Sequence, residues 1–276
     1  MTTHHRSILI TGCSTGIGFA AARDLKLRGW RVLATARKAD DLARLTAQGV
    51  DALPLELADP ASIAACATRA LELTDGRLGA LFSNAAYGQI GAVEDLEVQA
   101  LRDQFEVNFF GLHDLTRRVI PAMRRQGAGR IVQCSSILGL MAAPYRGAYC
   151  ASKYALEALT DSMRMELHGS GIHVSLIEPG PIRTEFLPTA LAKFRERIDI
   201  DGSAHRETYQ RRLASMATGG KTTFKLEPEA VVRRLIHAVE SSRPKPRYFV
   251  TTPTYIAAML KRVLPTVVLD PFARGQ

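Results

Sequence analysis

The sequence predicts an α/β fold of the Rossmann type: a doubly wound, predominantly parallel sheet of seven strands with helices on both faces, in one domain. Three observations predict it. Short apolar or β-branched runs alternate with longer helical patterns, glycines fall where those helices stop, and a glycine-rich turn follows directly on the first strand. At 276 residues with 46% hydrophobic composition, the chain is long and apolar enough to bury the core of one such domain.

Expected strands cover residues 7–11, 31–36, 52–56, 80–83, 130–135, 173–178 and 247–250. Helical periodicity fills the gaps at 17–28, 42–48, 60–73, 97–125 and 148–168, with Gly29, Gly49 and Gly169 as left-handed stops. Strict alternation implies parallel strands joined by crossovers that cover both faces of the sheet. No repeat or low-complexity linker offers a second domain boundary, so residues 1–276 read as one catalytic domain. Residues 181–225 break the alternation as a long insertion, the kind of segment that forms a lid or binding loop.

Composition excludes several function classes. Cys13, Cys66, Cys134 and Cys150 are scattered, with neither metal-ligand spacing nor a disulfide framework, so no metal site is expected and a reducing cytoplasm is the natural compartment. The N-terminus reaches only the brief apolar run Ile8, Leu9, Ile10 before Thr11 and Gly12, which is a strand rather than a signal peptide. A net charge of +9 raises nucleic acid as a partner, but Lys and Arg are interspersed with Asp and Glu on helix faces, so none is expected. The C-terminal stretch 253–276 is amphipathic and basic. Lys261, Arg262 and Pro265 interrupt it too often for a bilayer span; packing on the body is expected, and peripheral membrane contact is the alternative.

The first chemical motif is the turn from Thr11 to Gly18, in which Gly12, Ser14, Thr15, Gly16, Ile17 and Gly18 are candidate cofactor contacts. Glycines let the backbone turn tightly and bring N–H groups to a pyrophosphate, whose charge the helix N-terminus stabilises. The spacing is G-x3-G-x-G rather than G-x-G-x-x-G. At the end of the second strand, where NAD-binding chains carry an acidic residue, the sequence reads Ala36, Arg37, Lys38. A missing acid and a present base favour NADP(H) over NAD(H), because a guanidinium accommodates the 2′-phosphate.

Tyr149 and Lys153 lie four apart in a helical pattern, on one face. A phenol titrating near ~10 is a poor base at neutral pH, and a neighbouring ammonium would lower it into a range suited to acid–base chemistry. Ser136 ends the fifth strand, where ligands sit in open α/β sheets, and its hydroxyl can share a substrate oxygen with Tyr149. Asn108 stands in Glu106, Val107, Asn108, Phe109, Phe110, Gly111.

Taken in order, the Thr11–Gly18 turn, Asn84 and Ala85 within Ser83, Asn84, Ala85, Ala86, then Asn108, Ser136, Tyr149, Lys153 and Pro179 with Gly180 resemble the short-chain dehydrogenase/reductase family, in its hydroxysteroid and retinol dehydrogenase-like branch. The resemblance runs from about residue 7 to 184. It implies a tetrad of Asn108, Ser136, Tyr149 and Lys153. Ser136 polarises the carbonyl, Tyr149 gives a proton to its oxygen, Lys153 holds the nicotinamide ribose, and Asn108 supports a water leading towards Lys153. It further implies cofactor contacts from Asn84, Ala85, Pro179, Gly180, Ile182 and Thr184, and pairing of subunits into a homodimer or homotetramer through the helices expected at 97–125 and 148–168. Two departures stand out. Ala86 replaces the usual glycine, and Glu56, followed by Leu57, stands where an aspartate usually faces the adenine.

The stretch 137–145 between Ser136 and Tyr149 is almost wholly apolar and makes Leu138, Met141 and Tyr145 candidate substrate contacts. A hydrophobic ketone or aldehyde and its alcohol are the expected pair. Two other classes stay in view. A non-catalytic NADP(H)-sensing protein would have no need of the tetrad, and an isomerase or dehydratase that recycles bound dinucleotide would carry a G-x-x-G-x-x-G turn and an acid after the second strand.

Overall fold

The computed structural model describes residues 5–217 and 225–274. In chain order the elements are β1 (Ser7–Ile10), α1 (Gly16–Leu27), β2 (Arg31–Ala36), α2 (Ala39–Ala47), β3 (Asp51–Pro54), α3 (Pro60–Leu73), β4 (Ala80–Ser83), α4 (Val98–Phe105), α5 (Gly111–Arg125), β5 (Gly129–Cys134), α6 (Gly147–Glu166) and β6 (Ile172–Glu178). There follow α7 (Phe186–Arg197), α8 (Arg206–Ala217), α9 (Glu229–Glu240), β7 (Arg247–Phe249), α10 (Thr252–Val263) and α11 (Thr266–Arg274). All six strand pairings are parallel, and the order is β3-β2-β1-β4-β5-β6-β7. The expected strands and their type hold, with ends displaced by one or two residues.

A parallel sheet has no solvent face, and β1 illustrates the consequence: Ile8, Leu9 and Ile10 are all inaccessible. Because successive side chains point to opposite faces, Ile8 and Ile10 join the core formed with Leu25 of α1 and Val231 and Leu235 of α9. Leu9 joins the opposite core, with Ile63 of α3 and Leu115 and Val119 of α5. Gly29, Gly49 and Gly169 all take positive φ after their helices, as the stop signals require.

Two expectations change. Residues 97–125 do not form one uninterrupted helix: α4 and α5 are joined by a π-helical turn at Glu106–Phe110. A single wide turn between two helical patterns reads in the sequence as their continuation. The insertion at 181–225, expected as a lid or binding loop, carries two helices, α7 and α8, and its stretch 218–224 lies outside the described residues. Ala190, Phe194, Ile198 and Tyr209 from this segment pack with Ile90 and Ala92 in a third, smaller core. The amphipathic C-terminus forms α10 and α11; Thr254 and Ala257 pack inward while Met259, Val263 and Val267 stay exposed. Among the described residues, no helix is long and apolar enough to cross a membrane, and no cluster of His, Cys, Asp or Glu is placed to hold a metal ion.

Candidate active site

The strand order reverses between β1 and β4, and a cleft of about 990 Å³ opens at the carboxyl ends of the strands there. Two side chains, those of Thr11 and Asn84, fasten its two lips. The Thr11 hydroxyl accepts from the Asn84 and Ala85 amides at 2.8 and 2.9 Å, while the Asn84 amide group donates to the Thr11 and Gly12 carbonyls at 3.0 and 3.3 Å. Gly12 and Gly16 take φ of +71° and +58°, conformations in which a side chain would be strained. A Cβ on Gly16 would come within 3.0 Å of Thr184, so the turn and the segment after β6 face each other across a gap that only glycine leaves open.

Thr15 precedes α1 without a capping side-chain bond, and the first turn of α1 carries no acidic residue. Its leading N–H groups therefore point towards the cleft with their partial positive charge unopposed, a cradle suited to a pyrophosphate. Arg37 and Glu56 meet at the far end at 3.5 Å, both well exposed. The donor set and the glycine cradle fit a dinucleotide.

At the other end, α6 brings Tyr149 and Lys153 into the cleft beside Ser136. Tyr149 is 8% accessible, and burial drives its phenol above the ordinary tyrosine range, opposed by a hydrogen bond with the Ser136 hydroxyl. Lys153 is buried as well, which lowers its ammonium; its Nζ donates to the Cys134 carbonyl at 2.8 Å and lies 5.7 Å from the centre of the Tyr149 ring. The groups that lower the phenol are Ser136 and, more weakly, Arg146 rather than the expected Lys153, and desolvation outweighs both. Phe186 of α7 stands edge-on to Tyr149 at 5.2 Å and covers it.

Of the residues singled out in the sequence, Gly12, Ser14, Thr15, Gly16 and Ile17 line the nucleotide end, with Arg37, Glu56, Leu57, Asn84 and Ala85. Ser136, Leu138, Tyr149 and Lys153 line the other, with Pro179, Gly180, Ile182 and Thr184 between. Five stand off the wall. Gly18 supports it from behind, because a Cβ there would lie 2.2 Å from the Gly12 carbonyl oxygen. Lys38 precedes α2 and points to solvent. Asn108 is fully buried in the π turn, where it donates to the Tyr87 carbonyl at 2.9 Å and the Ser152 hydroxyl at 3.2 Å and accepts from the Tyr87 amide at 3.1 Å. Its side chain anchors the loop after β4.

Met141 and Tyr145 are the expected substrate contacts that the structure does not bring to the cleft. A short helical turn at Ile137–Gly139 redirects the chain after Ser136. Tyr145, at φ +63°, then turns into the third core, its hydroxyl 3.2 Å from Nδ1 of His205 and its ring edge-on to Tyr209. Arg146 takes the place at the wall that Tyr145 vacates, joined by Phe186, Leu187 and Arg212 from the insertion. A cation three residues before Tyr149 is visible in the sequence as a residue one helical turn away; the contribution of Arg212, far along the chain, is not.

Comparison with known proteins agrees with this geometry. The short chain dehydrogenase family model matches residues 6–193. The uncharacterized oxidoreductase YbbO of Escherichia coli strain K12 is 44% identical over 271 residues, covering 98% of this chain and 94% of its own. Human 17-beta-hydroxysteroid dehydrogenase type 1 is 34% identical, over 88% of this chain and 77% of its own, in line with the expected branch. A short-chain dehydrogenase of Streptomyces avermitilis superposes with a TM-score of 0.79 at 26% identity, over 98% of this chain and 97% of that one. This chain belongs to the short chain dehydrogenase family and is an oxidoreductase of that family.

Proposed function

We propose that the protein is an NADP(H)-dependent oxidoreductase that interconverts an aldehyde or ketone with an apolar body and its alcohol. The observation that carries the reading is the convergence of Tyr149, Ser136 and Lys153 at one end of a cleft whose other end holds an open glycine turn and Arg37. When bound, the nicotinamide supplies or accepts the hydride at the carbonyl carbon. Ser136 donates a hydrogen bond to the carbonyl oxygen and fixes its position. Tyr149 Oη passes its proton to that oxygen as negative charge builds there, and takes one back from the alcohol in the reverse direction. Lys153, on the same face of α6, holds the ribose of the nicotinamide end and steadies the phenolate left behind. Asn108 keeps the π turn and the loop at Tyr87 in place beneath the site.

A panel of apolar aldehydes and ketones assayed with both nucleotides tests the reaction class. Oxidation of NADPH that depends on the carbonyl compound is expected, and its absence across the panel would refute the reading. The choice of nucleotide rests on Arg37, which is exposed and engaged by Glu56 at the long distance of 3.5 Å, and so can turn to meet a 2′-phosphate. Arg37→Ala is expected to reduce the ratio of kcat/KM for NADPH over NADH by roughly ten- to a hundredfold, the size of a lost charge-assisted contact. An unchanged ratio would remove Arg37 from nucleotide selection.

A further inference from the structure

The substrate end of the cleft is not the apolar pocket that the stretch 137–145 suggests. Leu138, Pro144, Phe186 and Leu187 supply apolar walls, but Arg146 and Arg212 stand among them, between the cleft and a small cavity behind it. Arg146 is half-buried, directly before the first turn of α6, where the helix already presents partial positive charge. Among the described residues no carboxylate pairs with it, and the charge that bears on it most is the second guanidinium, Arg212. Burial and that repulsion both weaken its hold on its proton, with the Tyr149 phenol and the Cys150 thiol opposing.

Of the acidic residues of the same cleft, Asp103 pairs with Arg197 at 2.7 Å and Glu56 with Arg37 at 3.5 Å. Glu106 and Glu185 also line the cleft, Glu185 beside Phe186, and neither forms an ion pair with Arg146. Lys193, another cation of the cleft, is held by Glu196 at 2.8 Å. Arg212 lies over the ring of Tyr145, the residue next to Arg146 in the chain, at 4.6 Å. A guanidinium in a partly desolvated wall, with a second one lining the same cavity, costs free energy unless an anion joins it. A guanidinium also offers the planar donor pair that a carboxylate takes in bidentate fashion.

We infer that the carbonyl substrate carries an anionic group, a carboxylate in the first instance, which Arg146 binds with Arg212 beside it while the apolar walls hold the body of the molecule and Tyr149 meets its carbonyl. This rests on the reading of the protein as a carbonyl oxidoreductase and narrows its substrate to amphipathic oxo-acids. Tyr145 and α8 then act as supports that aim the two cations.

The test compares 3-formylbenzoate, 4-formylbenzoate and 4-formylcinnamate with their methyl esters, by calorimetric binding to the full chain in the presence of NADP+ and by turnover with NADPH. Each ester keeps the aldehyde and the ring and removes only the charge. At least one acid is expected to bind ten- to a hundredfold more tightly than its ester. Arg146→Met is expected to erase that ratio and Arg146→Lys to restore part of it, with thermal unfolding and NADP+ affinity of each variant checking that the fold is intact. Esters that bind as well as their acids, a ratio that survives Arg146→Met in a folded protein, or no binding of any acid would each overturn the inference. An acid that binds through Arg146 but is never reduced would leave the anion site standing and count against the carbonyl reductase reading.

Discussion

Replacing Tyr149 with phenylalanine is expected to lower kcat for aldehyde reduction by about a thousandfold while changing NADPH affinity by less than about threefold, as befits loss of a general acid. The substitution removes one oxygen from a ring that is 8% accessible and stands edge-on to Phe186 at 5.2 Å, so the packing that holds α6 against α7 survives. What disappears is the proton that meets the carbonyl oxygen. Burial holds the phenol above its ordinary range, so Tyr149 stays protonated at neutral pH and serves as an acid without a prior ionisation. Reduction should therefore be nearly independent of pH across the neutral range, whereas alcohol oxidation, which needs the phenolate, should accelerate as pH rises. Stopped-flow turnover and a fluorescence titration of NADPH measure the two halves of this expectation. Comparable turnover in wild type and variant would remove Tyr149 from the chemistry.

The parts of this site that are near neighbours in the chain are legible in the sequence alone. The glycine turn, Arg37, and the pair Tyr149 and Lys153 depend on local geometry, on the spacing along a helix, or on one strand end, and the structure places Gly12, Gly16, Arg37, Tyr149 and Lys153 on the cleft wall. Legibility ends where the chain folds back on itself. The apolar run 137–145 reads as a continuous lining, yet the short turn at Ile137–Gly139 and the positive φ of Tyr145 divide it, sending Leu138 and Pro144 into the cleft and Tyr145 away from it. Nothing in the local pattern distinguishes those two outcomes, since apolar side chains line both environments. Arg212 meets Arg146 only because α7 and α8 pack on Ile90 and Ala92, a contact among segments distant in the chain. Asn108 shows the converse. The residue type is legible, but the π turn from which it bonds the backbone of Tyr87 is not, because a single wide turn between two helical patterns reads as their continuation.

Arg247→Met is expected to cost about 3–5 kcal/mol of stability near pH ~8, the scale for removing one partner from a buried ion pair, and to lower Tm by roughly 5–10 °C in a chain of this size. Arg247, on β7, is the cation that three carboxylates share: Glu157 and Glu178 each lie 2.5 Å from its Nη1, and Asp161 bonds to its Nη2. Glu178 is inaccessible, and its Oε2 has no hydrogen-bond partner among the described residues. Desolvation, then repulsion from Glu157, pushes the Glu178 carboxyl up to about 8 against the pull of Arg247. A glutamate in the unfolded chain titrates near ~4.3, so between that value and about 8 the folded protein binds the extra proton, and stability falls as pH rises through this window. Without Arg247 the carboxyls hold their protons more tightly still, and the cost of ionising them grows. The destabilisation should accordingly be smaller near pH ~5 than near pH ~8, and Arg247→Lys, which keeps the charge but loses the fork that spans two carboxylates, should fall between wild type and Arg247→Met. Equilibrium unfolding of the three proteins at both pH values decides the matter: an equal loss for Arg247→Met under the two conditions would mean that the residue contributes packing rather than charge.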